Sequence, residues 1–198
     1  MSVEATAPVR PEGYTRVALA LQALGHPHAP RWLDVPARTA QEAADALGVT
    51  VAQIAKSVVF RRKADNAAVL VVTSGDRRVD EERVAALTGT LGRADADFVK
   101  ARTGFSIGGV APLAHSEKPV TLLDRELFRF DEIWAAAGHP NGVFRLSPQQ
   151  LAALTGAPVA DVVQTAALST AGALPSQGEV ARAGAEPGGA GTIAEPAP

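Results

Sequence analysis

The lysine at position 56 stands where a charged side chain could act on a substrate. It follows a capping signature, Thr50-Val-Ala-Gln53, and opens the β-branched run KSVVF, which predicts a strand buried on both sides. An ammonium group at the entrance of such a strand can orient a carbonyl or stabilise a developing oxyanion. A lysine there can also extend to solvent along its methylene stem without any function. Lys56 alone therefore leaves both interpretations open.

A glycine-rich segment, GFSIGGVAP over residues 104–112, is the second candidate. Gly108 and Gly109 follow Ile107 inside an apolar run, a pattern typical of a bulge or of a close backbone approach. Free amides there could bind a carbonyl or carboxylate oxygen, although a simple turn would have the same composition. The chain contains neither GxxxxGK[ST] nor GxGxxG, so we expect no ATP, no dinucleotide and no other cofactor.

Histidine and aspartate supply weaker candidates. His139 lies in the turn Gly138-His-Pro-Asn-Gly142 and is either a general base or an exposed turn residue. Asp124 closes the predicted strand PVTLLD and could position a loop or pair with a cation, although capping the next helical turn is the favoured role. His26 and His28 lack a third ligand nearby, so we expect no metal site.

Composition excludes several classes of function. The 198 residues include no cysteine, which rules out disulfides, thiolate metal sites and a cysteine nucleophile. The formal net charge of −2 argues against strong autonomous nucleic-acid binding. Two basic clusters, 61–63 and 77–83, are either a local patch or solvated faces. Without a signal peptide or a long apolar span, we expect a cytoplasmic protein that binds neither membrane nor DNA.

The order of the predicted elements favours an α+β fold. Helices are predicted over 14–25, 80–87 (with Val84 and Leu87 inward) and 97–102, and capping boxes start two more at Thr39 and Ser147. Strands are predicted over 56–60 and 67–73 as a hairpin, within 105–113, over 119–124, and over 132–137 and 143–146. We expect a single compact domain with a mixed, largely antiparallel, curved sheet surrounded by short helices.

The two ends of the chain differ from its middle. Residues 1–12 predict a disordered lead, and 13–163 the folded domain. Residues 164–198 are dominated by Ala, Gly, Pro, Ser and Thr. Such a composition buries too little apolar surface to offset the entropy of ordering, so we expect a disordered tail.

Several motifs, in order and at matching spacing, resemble the YbaK/EbsC family of aminoacyl-tRNA editing deacylases over 41–163. They are EAADALGVTVAQIAKSVVF, the glycine loop TGFSIGGVAPL, the aspartate closing PVTLLD, the turn after IWAAAG, and LSPQQLAALTGAPVADV. The resemblance implies a pocket for the aminoacyl-adenosine end of a charged tRNA. Lys56 matches the family's essential lysine, Ser57 the hydroxyl residue after it, and Gly108 a glycine of the substrate loop. The family needs neither a metal nor a protein nucleophile.

The resemblance also sets further expectations. The substrate-binding residues should include Ser57, Ile107, Gly108, Gly109, Asp124, Gly138 and His139. Members that act on cysteinyl-tRNA(Pro) carry a serine and an acidic residue where this chain has Ala136 and Val143. These apolar replacements favour a small amino acid such as alanine on a tRNA(Pro)-type substrate. Partners would be the acceptor end and prolyl-tRNA synthetase or an elongation factor.

Two other functions remain compatible with the same residues. One is a non-catalytic module that binds tRNA ends or a synthetase through the same pocket. The other is a hydrolase of a different small ester or amide. The role of Lys56 distinguishes a catalyst from a binding module.

Overall fold

A computed structural model describes residues 9–164 of the chain. Most of the predicted lead and tail, 1–8 and 165–198, lies outside the described residues. Among the described residues no helix is long and apolar enough to cross a membrane. Their α-helices are α1 Glu12–Ala23, α2 Ala40–Leu47, α3 Glu81–Thr88, α4 Ala96–Thr103 and α5 Pro148–Thr155.

The strands form one mixed sheet, as predicted, and the α+β class is confirmed. Its strands are β1 Arg31–Trp32, β2 Ile54–Arg62, β3 Ala68–Ser74, β4 Leu91–Arg93, β5 Val120–Asp124, β6 Ile133–Ala136, β7 Gly142–Leu146 and β8 Val159–Ala160. The order is β1-β7-β6-β2-β3-β5-β8, with β4 added to β2. Pairs β2–β6, β3–β5 and β5–β8 are parallel, and the other four are antiparallel.

Local capping sets the ends of the helices that the sequence predicts. The Thr39 hydroxyl accepts from the backbone of Glu42, whose carboxylate accepts in return from the Thr39 amide. Ser147 and Gln150 form the same reciprocal pair at the start of α5. Gly48 ends α2 in the left-handed conformation. Each box satisfies two amides that the first helical turn leaves unpaired, so these helix starts are confirmed.

The β2–β3 hairpin crosses the centre of the sheet and pairs Lys56 with Thr73. All of β3 is buried, whereas Lys56 to Val59 of β2 are only half-buried. The prediction that β2 is buried on both sides is therefore wrong. The physical reason is a change of partner, because β2 pairs with β6 only at Ile54 and Ala55 and with β4 only from Phe60. Between these points one edge of β2 has no strand partner among the described residues.

Two other expectations are corrected. Residues 105–113 form turns and irregular backbone rather than a strand, and Gly108 has φ +87° within them. That conformation is incompatible with a continuing strand. Leu87 is 59% exposed, because α3 packs on the sheet through Val84 and Leu87 lies outside that buried cluster.

Helix α1 docks on the turn that joins β6 to β7 through glycines. A Cβ on Gly13 would overlap the carbonyl oxygen of Gly138, and a Cβ on Gly138 would overlap that of Gly13. A Cβ on Gly142 would lie 2.6 Å from Cδ2 of Tyr14. The absence of these side chains lets the helix and the turn approach at backbone distance, which places α1 directly behind the turn.

We expect Gly138→Ala to cost more stability than Gly156→Ala. Both glycines have positive φ, +80° and +62°, so each alanine pays about 1 kcal/mol for its conformation. Only the Gly138 Cβ meets backbone, and the overlap should raise its total cost to about 2 kcal/mol or more. Urea unfolding of the two variants measures the difference; equal losses would mean that α1 does not press on the turn.

Candidate active site

A cavity of about 270 Å³ opens at the unpaired edge of β2. Its walls come from the segment before α2 and α2 itself, from β2, from the glycine-rich loop 104–112, from β6, and from the turn 138–142 with the start of β7. Four of the residues predicted from the sequence line it: Lys56, Ser57, Ile107 and Gly108. Neighbouring residues on a strand point to opposite faces, so the side chains of Lys56 and Ser57 lie on the two faces of the sheet.

The Lys56 ammonium is held by backbone carbonyls. Its Nζ donates to the oxygen of Gly75 at 3.1 Å and to that of Arg77 at 2.5 Å. Burial lowers the pKa of Lys56 below its ordinary value and Arg78 acts in the same direction, while Asp76 opposes them. Among residues 9–164, two of the three N–H donors are thus engaged, and the third is left for a ligand. The lysine is therefore oriented by the protein and does not simply extend to solvent.

The loop that carries these carbonyls is tied down by ion pairs. Arg129 donates to both oxygens of Asp76 at 2.7 and 2.8 Å. Arg77 pairs with Glu126 at 2.9 Å, and Arg129 reaches the same carboxylate at 2.5 Å. Glu126 and Arg129 belong to the 3-10 helix Arg125–Arg129 that follows β5. A network of charges of this kind holds a loop better than isolated surface pairs do.

Asp124 supports this arrangement and does not line the cavity. It is fully buried at the end of β5 and accepts from the Thr73 hydroxyl at 2.6 Å and from the Glu126 amide at 3.2 Å. Burial raises the pKa of the Asp124 carboxyl, against the effect of these hydrogen bonds. The favoured helix-capping role is confirmed. Because Thr73 is the register partner of Lys56, Asp124 braces the strand next to the lysine.

The glycine loop is shaped by close approaches on two sides. A Cβ on Gly108 would lie 3.2 Å from Cα of Arg38, and one on Gly109 would lie 2.8 Å from the backbone of His139. The Gly109 amide donates to the Ser106 carbonyl at 3.0 Å, so this amide is not free for a ligand. Gly108 and the exposed Ile107 face the cavity, whereas Gly109 packs on the turn that contains His139.

The turn 138–142 contributes backbone and one defined imidazole. Pro140 and Gly142 line the cavity, whereas Gly138 and His139 are not among its lining residues. The Asn141 amide donates to Nδ1 of His139 at 3.1 Å, so the neutral ring carries its proton on Nε2. Burial lowers the pKa of His139, which favours that neutral form. The ring of Trp32 stacks on it at 5.0 Å.

Two residues of the cavity wall each carry a buried polar atom without a partner among residues 9–164. Ser57 Oγ and Trp134 Nε1 are buried without a hydrogen bond within the part of the chain that the structure describes. Both residues line the cavity. Unpaired buried polar atoms are rare in folded proteins and each asks for an explanation. No local pattern marks Trp134, which has the sequence context of an ordinary strand residue, or Arg38, which lies next to Gly108 in the fold.

The other histidines and the basic clusters lie elsewhere. Within residues 9–164 no three His, Asp or Glu side chains are grouped to hold a metal ion. His26 Nε2 contacts the Arg145 carbonyl at 2.9 Å, and the rings of His26 and His28 meet edge to face. In the basic clusters, Arg62 pairs with Asp65 and Arg77 with Glu126, so part of the positive charge is neutralised internally.

Residues 34–154 match the family described as the aminoacyl-tRNA editing domain. The uncharacterised protein YwhH of Bacillus subtilis is 34% identical over 114 residues, which cover 57% of this chain and 72% of that protein.

Solved structures agree in fold. The crystal structure of a candidate trans-editing enzyme for prolyl-tRNA synthetase is 40% identical, covers 79% of this chain and 100% of that one, and has a TM-score of 0.73. The hypothetical protein APE2540 is 32% identical, with 75% and 99% of the two chains covered and a TM-score of 0.70.

We expect Thr73→Val to destabilise the protein by about 1–3 kcal/mol, because it removes a donor from the buried Asp124 carboxyl. Thr121→Val is the matched control on β5, since its hydroxyl makes only a 3.5 Å contact with the Pro119 carbonyl. That change should stay within about 0.5 kcal/mol. Urea unfolding measures both free energies, and a neutral Thr73→Val would remove Asp124 from the support of the site.

Proposed function

Because the chain belongs to the aminoacyl-tRNA editing domain family, we propose that it is a deacylase that hydrolyses the ester of a mischarged aminoacyl-tRNA. The observation that carries the proposal is the Lys56 ammonium, held at the cavity by the Gly75 and Arg77 carbonyls with one N–H free. That N–H would donate to the carbonyl oxygen of the aminoacyl ester. A positive charge there stabilises the oxyanion that forms when the carbonyl is attacked.

The proposed reaction needs no covalent intermediate with the protein. Water attacks the ester carbonyl carbon, the bond from that carbon to the ribose oxygen breaks, and the ribose hydroxyl takes up a proton as the free amino acid leaves. An aminoacyl ester is already activated, so orientation of the carbonyl and oxyanion stabilisation supply the main rate enhancement. In this proposal Lys56 is the catalytic residue, and neither a metal ion nor a cofactor takes part.

The other predicted site residues would either contact the substrate or support the wall of the cavity. Ser57, Ile107 and Gly108 line the cavity beside Lys56, and Ser57 Oγ has no partner among residues 9–164. We assign these three to contact with the aminoacyl-ribose. We assign His139 to the rim through its Nε2–H, with Gly109, Gly138 and Asp124 as support.

The lining favours a small amino acid. Ala37, Ala43, Ala136 and Val143 present apolar groups to the cavity and offer no charge to a polar side chain. A synthetase pocket rejects a smaller or isosteric amino acid by only a few kcal/mol, so a second site of different shape is needed to remove such errors. We therefore propose an aminoacyl group of the size of alanine.

The tRNA and the partners are proposed from the similar proteins. One of them is a candidate trans-editing enzyme for prolyl-tRNA synthetase, so a tRNA(Pro)-type acceptor end is the proposed substrate. Prolyl-tRNA synthetase or an elongation factor would deliver it. A formal net charge of −2 supports such delivery, because phosphate contacts normally require a strongly basic face.

We expect Lys56→Ala to lower the rate of deacylation by about 100-fold or more, since it removes the only side-chain cation proposed to meet the oxyanion. Lys118→Ala is the control, because that lysine is exposed and does not line the cavity. Release of the amino acid from mischarged tRNA is measured for both, with thermal unfolding as a check on the fold.

Retained hydrolysis in Lys56→Ala would overturn the mechanism. If the wild type bound mischarged tRNA but hydrolysed none, the chain would be a binding module. Hydrolysis of small esters but not of any aminoacyl-tRNA would identify a different esterase.

We expect tRNA(Pro) charged with alanine or another small residue to be hydrolysed faster than tRNA(Pro) charged with cysteine or proline. The apolar Ala136 and Val143 are the reason, since they offer nothing polar to the substrate side chain. A panel of mischarged tRNAs at equal concentration, run with wild type and Lys56→Ala side by side, measures the ranking. Cysteinyl-tRNA(Pro) as the best substrate would contradict the assignment.

A further inference from the structure

Trp32 lies at the centre of a stack behind the cavity wall. Its ring is nearly parallel to the imidazole of His139, with 5.0 Å between the centroids and 18° between the planes. The guanidinium of Arg10 lies 4.3 Å from the centroid of the indole. Tyr14 meets the indole edge to face at 5.2 Å, and its hydroxyl donates to the Pro30 carbonyl at 2.7 Å. The imidazole is therefore one member of an ordered set of rings.

The segment that follows Trp32 also holds the backbone of the turn. Leu33 N donates to the Asn141 carbonyl at 2.7 Å, and Asn141 Nδ2 returns a bond to the Leu33 carbonyl at 2.9 Å. Ala37 N donates to the Pro140 carbonyl at 2.8 Å. These bonds fix the path of the turn, but none of them fixes the plane of the His139 ring. Within residues 9–164, the Asn141 amide donates a hydrogen bond to that ring and the Trp32 indole stacks on it.

We propose that Trp32 is a positioning residue for deacylation, which acts by holding His139 and the cavity wall of the 138–142 turn in register with Lys56. The proposal rests on the deacylase function proposed above. Trp32 itself does not line the cavity, so it would act through the turn and not by touching the substrate.

The geometry explains why an aromatic plane is suited to this position. Asn141 N–H occupies Nδ1 of His139, which leaves Nε2–H as the donor, and the stack sets the direction in which that donor points. A stacked aromatic pair contributes about 0.5–1.5 kcal/mol beyond its buried area. On the other side of the turn, Pro140 and Gly142 form cavity wall. A displacement of the turn would therefore move the wall and the histidine together.

Trp32 also precedes the part of the chain that matches the editing domain, which begins at residue 34. Arg10 and Tyr14, which complete the stack, come from the segment before α1 and from α1 itself. The N-terminal segment would thus complete the site from outside the matched domain.

The experiment is a double-mutant cycle on kcat/KM for the best mischarged tRNA, with Trp32→Leu, His139→Ala and the double variant. Trp32→Leu keeps an apolar side chain but removes the stack, and we expect a loss of about 10-fold or more. His139→Ala should lose at least as much. The double variant should be no worse than His139→Ala within about threefold, because both changes break one contact.

Trp32→Phe keeps an aromatic plane and should restore kcat/KM to within about threefold of wild type. Phe98→Ala is the control for the loss of an aromatic ring, since Phe98 also lies beside two arginines, Arg61 and Arg102, and does not line the cavity. It should leave kcat/KM within about threefold. Thermal unfolding of every variant separates a loss of fold from a loss of positioning, and Trp32→Phe carries the test if Trp32→Leu does not fold.

Losses that multiply in the double variant, or an unaffected His139→Ala, would overturn the proposal, and so would a Trp32→Phe as impaired as Trp32→Leu. Failure of the deacylase function itself has a different signature, because wild type would then hydrolyse no mischarged tRNA and Lys56→Ala would match it.

Discussion

The other parts of the site depend on the hydrogen bonds that the half-buried Lys56 ammonium donates to two backbone carbonyls. Lys56 gives two of its donors to Gly75 and Arg77, and the direction of the third follows from them. Those carbonyls belong to a loop, which lacks the regular backbone hydrogen bonds that hold a strand in a sheet. Ion pairs hold the loop in place. They join Asp76 to Arg129 and Arg77 to Glu126, both in the 3-10 helix after β5. Neutralising a charge in this network would loosen the loop, and the position of the Lys56 ammonium would change with it.

The cavity exists because β2 changes partners. The strand pairs with β6 at its start and with β4 at its end, and the edge between them is open. An unpaired strand edge is a liability unless it is covered. Here the glycine loop and the segment before α2 cover it without pairing to it, and the space that remains is the cavity. Lys56 and Ser57, neighbours on β2 beside this gap, both line the cavity.

The turn 138–142, which forms one wall of the cavity, packs on the N-terminal helix α1. Glycines at 13, 138 and 142 let α1 approach the turn closely, and Gly109 lets the glycine-rich loop approach the backbone of His139. Because these contacts are made by glycines, backbone packs directly on backbone. Such contacts deform less than contacts between long side chains, so the turn moves little relative to α1. The N-terminal helix is thus part of the architecture of the site even though the editing-domain match begins after it.

The sequence by itself determined the features that depend on neighbours a few positions apart. The capping boxes at Thr39 and Ser147, the β2–β3 hairpin, and the candidates Lys56 and Gly108 all follow from local patterns. Asp124 was predicted as a cap and is one, but only the tertiary structure showed that it faces Thr73 rather than the cavity. The segment 105–113, expected as a strand, is a loop in which Gly108 has φ +87° and the two glycines lie close to Arg38 and His139, which are distant in sequence. Trp32, Trp134 and the open edge of β2 had no sequence signal, since stacking, burial and strand pairing depend on residues that only folding brings together.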